Sequence, residues 1–163
     1  MNAPVDELRA QVRLHRRRLE AVHEALESAL GDEIPRLGRT SVSALIVASL
    51  LENYYTCLET ILLRISQHFE NRLRPDRWRR DLVERMNLEI EGVRAAVVSD
   101  AALPPLLELL RFRHFKRCYF EMEYDWDRMD FLIAKLRQVH PLVFRDLARF
   151  ERFLDALDPP NRI

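Results

Sequence analysis

Glycine is scarce in this chain, with three among 163 residues, while 32% of the residues are charged. Because β-sheets need many turn residues, this composition excludes a sheet-rich protein and is typical of an all-helical one. The length suits a single domain over residues 1–163, which is long enough to bury a substantial core.

An excess of either charge is also lacking, since 26 basic side chains balance 26 acidic ones. No global electrostatic attraction to nucleic acid survives that balance, so any basic site must be local. Long hydrophobic runs are missing as well. The most apolar stretch, 42–51, is about half a membrane span and is followed at once by Glu52 and Asn53. We therefore expect a soluble protein without membrane contact.

Cysteine is rare, and the two that occur, Cys57 and Cys118, match no metal-ligand spacing. We expect neither a metal nor another cofactor, and Cys57 is predicted to be a small core residue. Because no secretory leader is recognisable, we expect the reducing cytoplasm as the location.

Apolar residues recur at helical spacing through most of the chain. Ser41 is predicted to cap the second helix, which is apolar nearly all round at its start and is expected to be central. His140–Pro141 is predicted to end the fifth helix, and 31–40 and 92–99 are predicted loops. The result is an up-down bundle of five to six helices. The predicted helices cover about 5–30, 41–71, 75 to beyond 86, 104–124, 125–139 and 142–157.

The fourth helix carries an unusual basic and aromatic cluster at positions 109–120. Arg113 and Arg117 stand four residues apart with no acid before Glu121, although like charges at that spacing repel by a few tenths of a kcal/mol. Such a cluster is expected to face a polyanion or a set of carboxylates. Its reactive and basic residues are Arg111, Arg113, His114, Lys116, Arg117 and Cys118.

Two interpretations of this cluster are open. In the structural one, its arginines pair with acids such as Glu52, Glu59 or Asp127 and hold helices together. In the functional one, a guanidinium holds a phosphate while a histidine moves a proton. Glu59 lies inside the central helix, and its predicted partner is Arg113. No functional role is predicted for two histidines outside this cluster. His15 and His23 lie on a charged helix, and their side chains are expected to be solvated.

Residues 111–115, followed by Tyr119 and by Asp125–Trp126, resemble the signature helix of HepT-like proteins in the wider HEPN group. Segments 52–59, 78–86 and 92–99 are similar to other parts of that family. Their order and spacing agree over about 43–136.

The resemblance implies a ribonuclease toxin of a two-gene toxin–antitoxin system. In this family two copies of an arginine–histidine motif meet in a homodimer and form a metal-independent cleft that cleaves RNA. The antitoxin is a small nucleotidyltransferase, which silences the toxin by binding it or by adenylylating a tyrosine.

This chain departs from the family motif at two positions. Arg113 fits the arginine position, but the histidine position falls on Cys118 and the tyrosine position on Phe120, with Tyr119 one residue early. His114 is the histidine of the cluster, and an imidazole suits proton transfer; a thiol is a second candidate. The predicted site has the following members. Arg113, His114 and Cys118 are catalytic, Arg111, Lys116 and Arg117 bind RNA, Glu59 supports them, and Tyr119 is the candidate for modification.

The alternative is a non-catalytic HEPN-type interaction protein that binds a nucleotidyltransferase partner, or RNA, without cleaving. Cys118 in place of the family histidine favours this alternative. The retained set of Arg113, His114 and Arg117 favours the nuclease.

Overall fold

The computed structural model describes residues 3–70, 78–119 and 124–158, and within these ranges the side chains of 4–70, 79–115 and 124–158. The described residues are helical almost throughout, which confirms the all-α prediction; outside the helices they contain one isolated bridge, between Ile90 and Arg94. The elements are α1 (Ala3–Ser28), a π-helical turn (Ala29–Glu33), α2 (Ile34–Leu37), α3 (Ser41–Phe69), α4 (Trp78–Asn87), α5 (Leu103–Tyr119) and α6 (Trp126–Leu157).

Helix α3 is the central element of the bundle. It contacts α1, α4, α5 and α6, and its buried residues lie on several faces, as a helix that is apolar nearly all round requires. Tyr54 and Tyr55 are both buried although they are adjacent, so α3 is covered on more than one side. Two neighbouring faces of α3 are therefore packed against other parts of the protein.

A capping box begins α3. The Thr40 side chain accepts a hydrogen bond from the Ser43 backbone at 3.2 Å, and the Ser43 hydroxyl accepts one from the Thr40 backbone at 2.8 Å. Ser41, the predicted cap, is instead the first helical residue. The prediction was wrong by one residue because threonine also caps helices well, and only Thr40 has an extended backbone.

Thr40→Ala is expected to lower the free energy of unfolding by about 1 kcal/mol, because an amide of the first turn loses its acceptor. Urea denaturation at pH 7 measures the loss. Ser41→Ala is the matched control: Ser41 is exposed, its side chain makes no hydrogen bond among the described residues, and a change within about 0.5 kcal/mol is expected. Equal losses in the two variants would contradict a capping role for Thr40.

The predicted loop at 31–40 was wrong over its first part, since helical backbone continues to Leu37. Ile34 is buried and anchors this extension to the core, and Pro35 is tolerated because it lies in the first turn of α2. The helix ends at Gly38, whose φ of 77° favours glycine.

The predicted break at His140–Pro141 was also wrong, because α6 runs through both residues. Proline inside a helix costs about 3 kcal/mol through its missing amide hydrogen and its ring. Here Pro141 is exposed, so water can reach the carbonyl that lost its donor, while the buried stripe continues on the opposite face through Leu136, Val139, Val143 and Leu147. Burial of that stripe outweighs the local cost.

The predicted end of the fourth helix, near Tyr124, falls at a gap in the described ranges. Helix α5 is described as far as Tyr119, residues 120–123 lie outside the described ranges, and Tyr124 is not helical. Asp125 caps α6, and its side chain accepts a hydrogen bond from the Asp127 backbone at 3.1 Å. No helix in the described part of the chain is both long and apolar enough to cross a membrane.

Candidate functional site

Helices α3 and α5 bring Glu59 and Arg113 together inside the protomer. The guanidinium Nη2 lies 3.3 Å from one carboxylate oxygen of Glu59, and Nη1 lies 3.4 Å from the other. The Arg113 Nε atom donates to the Thr56 hydroxyl at 3.1 Å. Arg113 is 5% exposed and Glu59 is 6% exposed. The predicted contact between these two residues is confirmed.

A second guanidinium shares the same carboxylate. Arg79, at the start of α4, places its Nε atom 3.5 Å from a Glu59 oxygen, and its side chain is 38% exposed. One acid thus faces two basic groups, and Arg79 is the more exposed of the two.

Tyr55 forms an apolar wall beside the ion pair. Its ring centroid is 6.0 Å from the central guanidinium carbon of Arg113, and its hydroxyl has no hydrogen-bond partner among the described residues. Burial, together with the nearby Glu59 carboxylate, raises the pKa of Tyr55 far above its ordinary value. The phenol is therefore neutral at physiological pH and does not act there as a base.

The other predicted site residues of α5 lie apart from the ion pair or outside the described side chains. Arg111 is exposed and pairs with Glu108 at 2.7 Å, and His114 is exposed. Four predicted residues belong to α5, but their side chains lie outside the described ones: Lys116, Arg117, Cys118 and Tyr119. Burial of Arg113 differs from the expectation that its guanidinium lines an open groove. The physical reason is Glu59, since a carboxylate inside the bundle requires a charged partner.

A second polar cluster, which the sequence interpretation missed, joins α1, α3 and α6. The His140 Nδ1 atom is 2.8 Å from the Tyr54 hydroxyl, and its Nε2 atom is 3.0 Å from a Glu20 carboxylate oxygen. The ring of His23 is stacked on that of His140 with centroids 3.9 Å apart. Interpreting His140 as a helix terminator and His23 as solvated was therefore wrong. The available signal was the three-residue spacing of Glu20 and His23, which places them on one helix face.

The histidine at the centre of this second cluster is neutral at physiological pH. Burial lowers the pKa of His140, the neighbouring His23 lowers it further, and Glu20 opposes both effects. Burial also raises the pKa of Tyr54, so its hydroxyl keeps its proton. In the arrangement that satisfies both contacts, Tyr54 donates to Nδ1, and the Nε2 hydrogen is donated to Glu20.

Cys57 borders a surface depression of about 450 Å³ between α1 and α3. The thiol is half-buried and packs against the core, and burial raises its pKa to about 11, so it is a protonated and unreactive group at neutral pH. His15, in the same wall, is 2% exposed and its Nδ1 atom is 2.8 Å from the Gln11 carbonyl oxygen. The expectation that His15 is solvated was wrong.

The fold and the site together define the class of protein: a helical bundle in which a central helix holds the basic helix α5 through a buried glutamate–arginine pair. The sequence model of the family described as HepT-like protein matches residues 46–154, which is more than half of the chain. The chain belongs to the HepT-like family of the HEPN superfamily. Comparisons with curated proteins and with solved structures give no match.

Proposed function

We propose that the protein is the toxin-type subunit of a two-gene toxin–antitoxin system and that it cleaves RNA without a metal ion, in a cleft of a homodimer. The observation that best supports this proposal is the HepT-like match over 46–154. That range contains α5 and most of α3, the two helices that contribute the residues of the site. The basic residues concentrated in the sequence of α5 would supply a local attraction for phosphates despite the zero net charge of the chain.

Arg113 acts in this proposal as a positioning residue. Its contacts with Glu59 and Thr56 fix α5 against α3, and the next residue along the helix, His114, is exposed. An ion pair buried between two helices restricts how α5 can turn, so it sets the direction in which His114 projects. Arg111, Lys116 and Arg117 are the proposed phosphate contacts.

His114 is the proposed proton carrier. As a base it takes the proton of an RNA 2′-hydroxyl, whose oxygen attacks the adjacent phosphorus, and the 5′-oxygen leaves and accepts a proton. The products are a 2′,3′-cyclic phosphate and a 5′-hydroxyl. An imidazole can act as the base in one proton transfer and, once protonated, as the acid in the other. Cys118, at the family's histidine position, is the second candidate for this role.

The proposed partner is a small nucleotidyltransferase antitoxin encoded with the protein. It would silence the toxin by covering the α5 face or by adenylylating a tyrosine, and Tyr119 is the candidate acceptor. Adenylylation adds a phosphodiester with a negative charge and so weakens binding of RNA at a basic face.

A non-catalytic interaction protein is the second candidate function, and one observation favours it. The guanidinium that the family motif provides is buried against a carboxylate of its own chain, with 5% of Arg113 exposed. In this alternative the bundle and the partner-binding surface are retained while cleavage is lost. Cys118 at the histidine position is consistent with such a loss.

Incubation of the purified protein with 5′-labelled RNA in EDTA tests the proposed function. The wild-type protein is expected to cleave, and His114→Ala is expected to slow cleavage by about 100-fold or more, because proton transfer contributes on that scale. His68→Ala is the matched control, since His68 is an exposed histidine near the end of α3, and it should cleave like wild type. Intact RNA with wild type, combined with cleavage by Cys118→His, would establish the non-catalytic alternative.

A further inference from the structure

Glu20, His23 and His140, named here the α1–α6 cluster, each offer one atom that can coordinate a metal. These three atoms lie within 4.8 Å of one another. Glu20 and His23 are partly buried and His140 is buried. Two imidazoles and a carboxylate from two helices thus meet at a place that solvent can reach from the side of Glu20.

We propose that the α1–α6 cluster binds a divalent transition-metal ion, with Zn²⁺ as the best fit. Two histidines and one glutamate are a common ligand set for Zn²⁺, and the fourth position is then filled by water. Glutamate and histidine three residues apart on one helix recur among metal-binding helical bundles.

The three ligand atoms are slightly too far apart to bind one ion, and rotation of their side chains can close the gap. Ligand atoms at about 2.0–2.2 Å from a tetrahedral Zn²⁺ lie about 3.3 Å from one another. Atoms that are at most 4.8 Å apart must therefore approach by about 1.5 Å or less. Rotation about the side-chain bonds of a partly exposed glutamate and histidine covers that distance without movement of α1 or α6.

The stacked rings determine which ligand moves. The planes of His23 and His140 are inclined by 6°, so one ion cannot lie in both planes, as the nitrogen lone pairs require. His140 is fixed by Tyr54 at 2.8 Å, whereas the Nε2 atom of His23 is 3.8 Å from a Glu27 oxygen, beyond hydrogen-bond range. His23, with 22% of its side chain exposed, is therefore the ring that turns.

Tyr54 is suited to orient the buried ligand. When the Nε2 atom of His140 binds the metal, the ring hydrogen moves to Nδ1, which then donates to the Tyr54 oxygen. Metal-bound histidines usually have such a partner at their second nitrogen, and its loss costs about 10–100-fold in affinity. Glu27 is not required as a ligand, because Arg137 holds both of its oxygens at 2.7 Å and 2.8 Å.

Titration of EDTA-stripped protein without a polyhistidine tag tests the metal site, with Zn²⁺ followed by calorimetry and Co²⁺ followed by visible absorption. One ion per chain is expected, with intense Co²⁺ bands typical of four ligands and a raised Tm. Tyr54→Phe should weaken binding by about 10–100-fold and His23→Gln by more. The stripped variants should keep the far-ultraviolet circular dichroism of wild type, which separates lost ligands from lost fold.

Glu24→Gln and His68→Gln are the matched controls, because both residues are exposed and neither belongs to the α1–α6 cluster. Both should bind Zn²⁺ like wild type. Binding that His23→Gln leaves unchanged, or weak six-coordinate Co²⁺ absorption, would overturn the site. The site shares no residue with the proposed nuclease centre, and RNA cleavage is measured in EDTA, so either proposal can fail while the other stands.

Discussion

Arg94→Ala is expected to lower the free energy of unfolding by about 3–5 kcal/mol, which is the usual loss when one member of a buried ion pair is removed. Arg94 is 2% exposed and lies in the turn that follows α4. Its Nε atom donates to Glu70 at 2.6 Å, and its two Nη atoms donate to the carbonyls of Leu88 at 2.7 Å and Arg85 at 2.8 Å. One side chain therefore joins the end of α3 to the end of α4.

The size of the expected loss in the free energy of unfolding follows from the groups that lose Arg94 as their partner. Alanine leaves Glu70, whose side chain is 6% exposed, with a longer contact to Arg85 at 3.0 Å, and it removes one donor from each of the Leu88 and Arg85 carbonyls. Each buried polar group without its partner costs about 1–3 kcal/mol. Domains of this kind are stabilised by about 5–15 kcal/mol in total, so the expected loss is a large share of that stability.

Urea denaturation at pH 7 measures this loss, and Arg80→Ala is the matched control. Arg80 lies on α4 and pairs with Glu84 at 2.9 Å, but 61% of its side chain is exposed, so its removal should cost less than about 0.5 kcal/mol. Arg94→Lys should fall between the two, because an ammonium keeps the charge but cannot reach three acceptors in different directions. Similar losses for Arg94→Ala and Arg80→Ala would show that the buried network contributes little.

The helical periodicity of apolar residues was sufficient to predict the all-α fold and the central position of α3, because this periodicity can be seen in the local sequence alone. The continuity of α6 could not be predicted in this way. Pro141 is a local signal for a helix end, and the burial that overrides it depends on α1 and α3, which are distant in sequence. A prediction from local sequence fails where a residue that disfavours helices, such as Pro141, lies on the solvent-exposed face of a helix whose other face is buried.

The two polar clusters show what a sequence can and cannot predict about a site. Glu59 is an acid within an apolar helix, so a basic partner was required, and the concentration of arginines in α5 pointed to Arg113. No comparable signal linked His23 to His140. They meet because α1 and α6 are neighbours, and that is a property of the tertiary packing.

Glu59→Leu is expected to lower the free energy of unfolding by about 3–5 kcal/mol, because it removes the carboxylate that faces both Nη atoms of Arg113 in the interior. Arg113→Met should cost a similar amount by leaving Glu59 buried with Arg79 at the longer distance of 3.5 Å. The double variant Glu59→Leu/Arg113→Met should regain most of this loss, since apolar side chains of similar volume replace a buried pair well. Urea denaturation of the four proteins gives the coupling energy of the pair.

The same four proteins test what Arg113 does in the proposed RNA cleavage. A single substitution of Arg113 destabilises the bundle, so lost activity in that variant alone does not separate contact with phosphate from support of α5. If Arg113 only positions His114, the stable double variant should recover a large part of the wild-type rate. If its guanidinium leaves Glu59 to hold the phosphate, stability should return while cleavage stays absent. Because Glu59 touches no substrate in either case, the difference between recovered stability and recovered rate measures the contribution of the guanidinium itself.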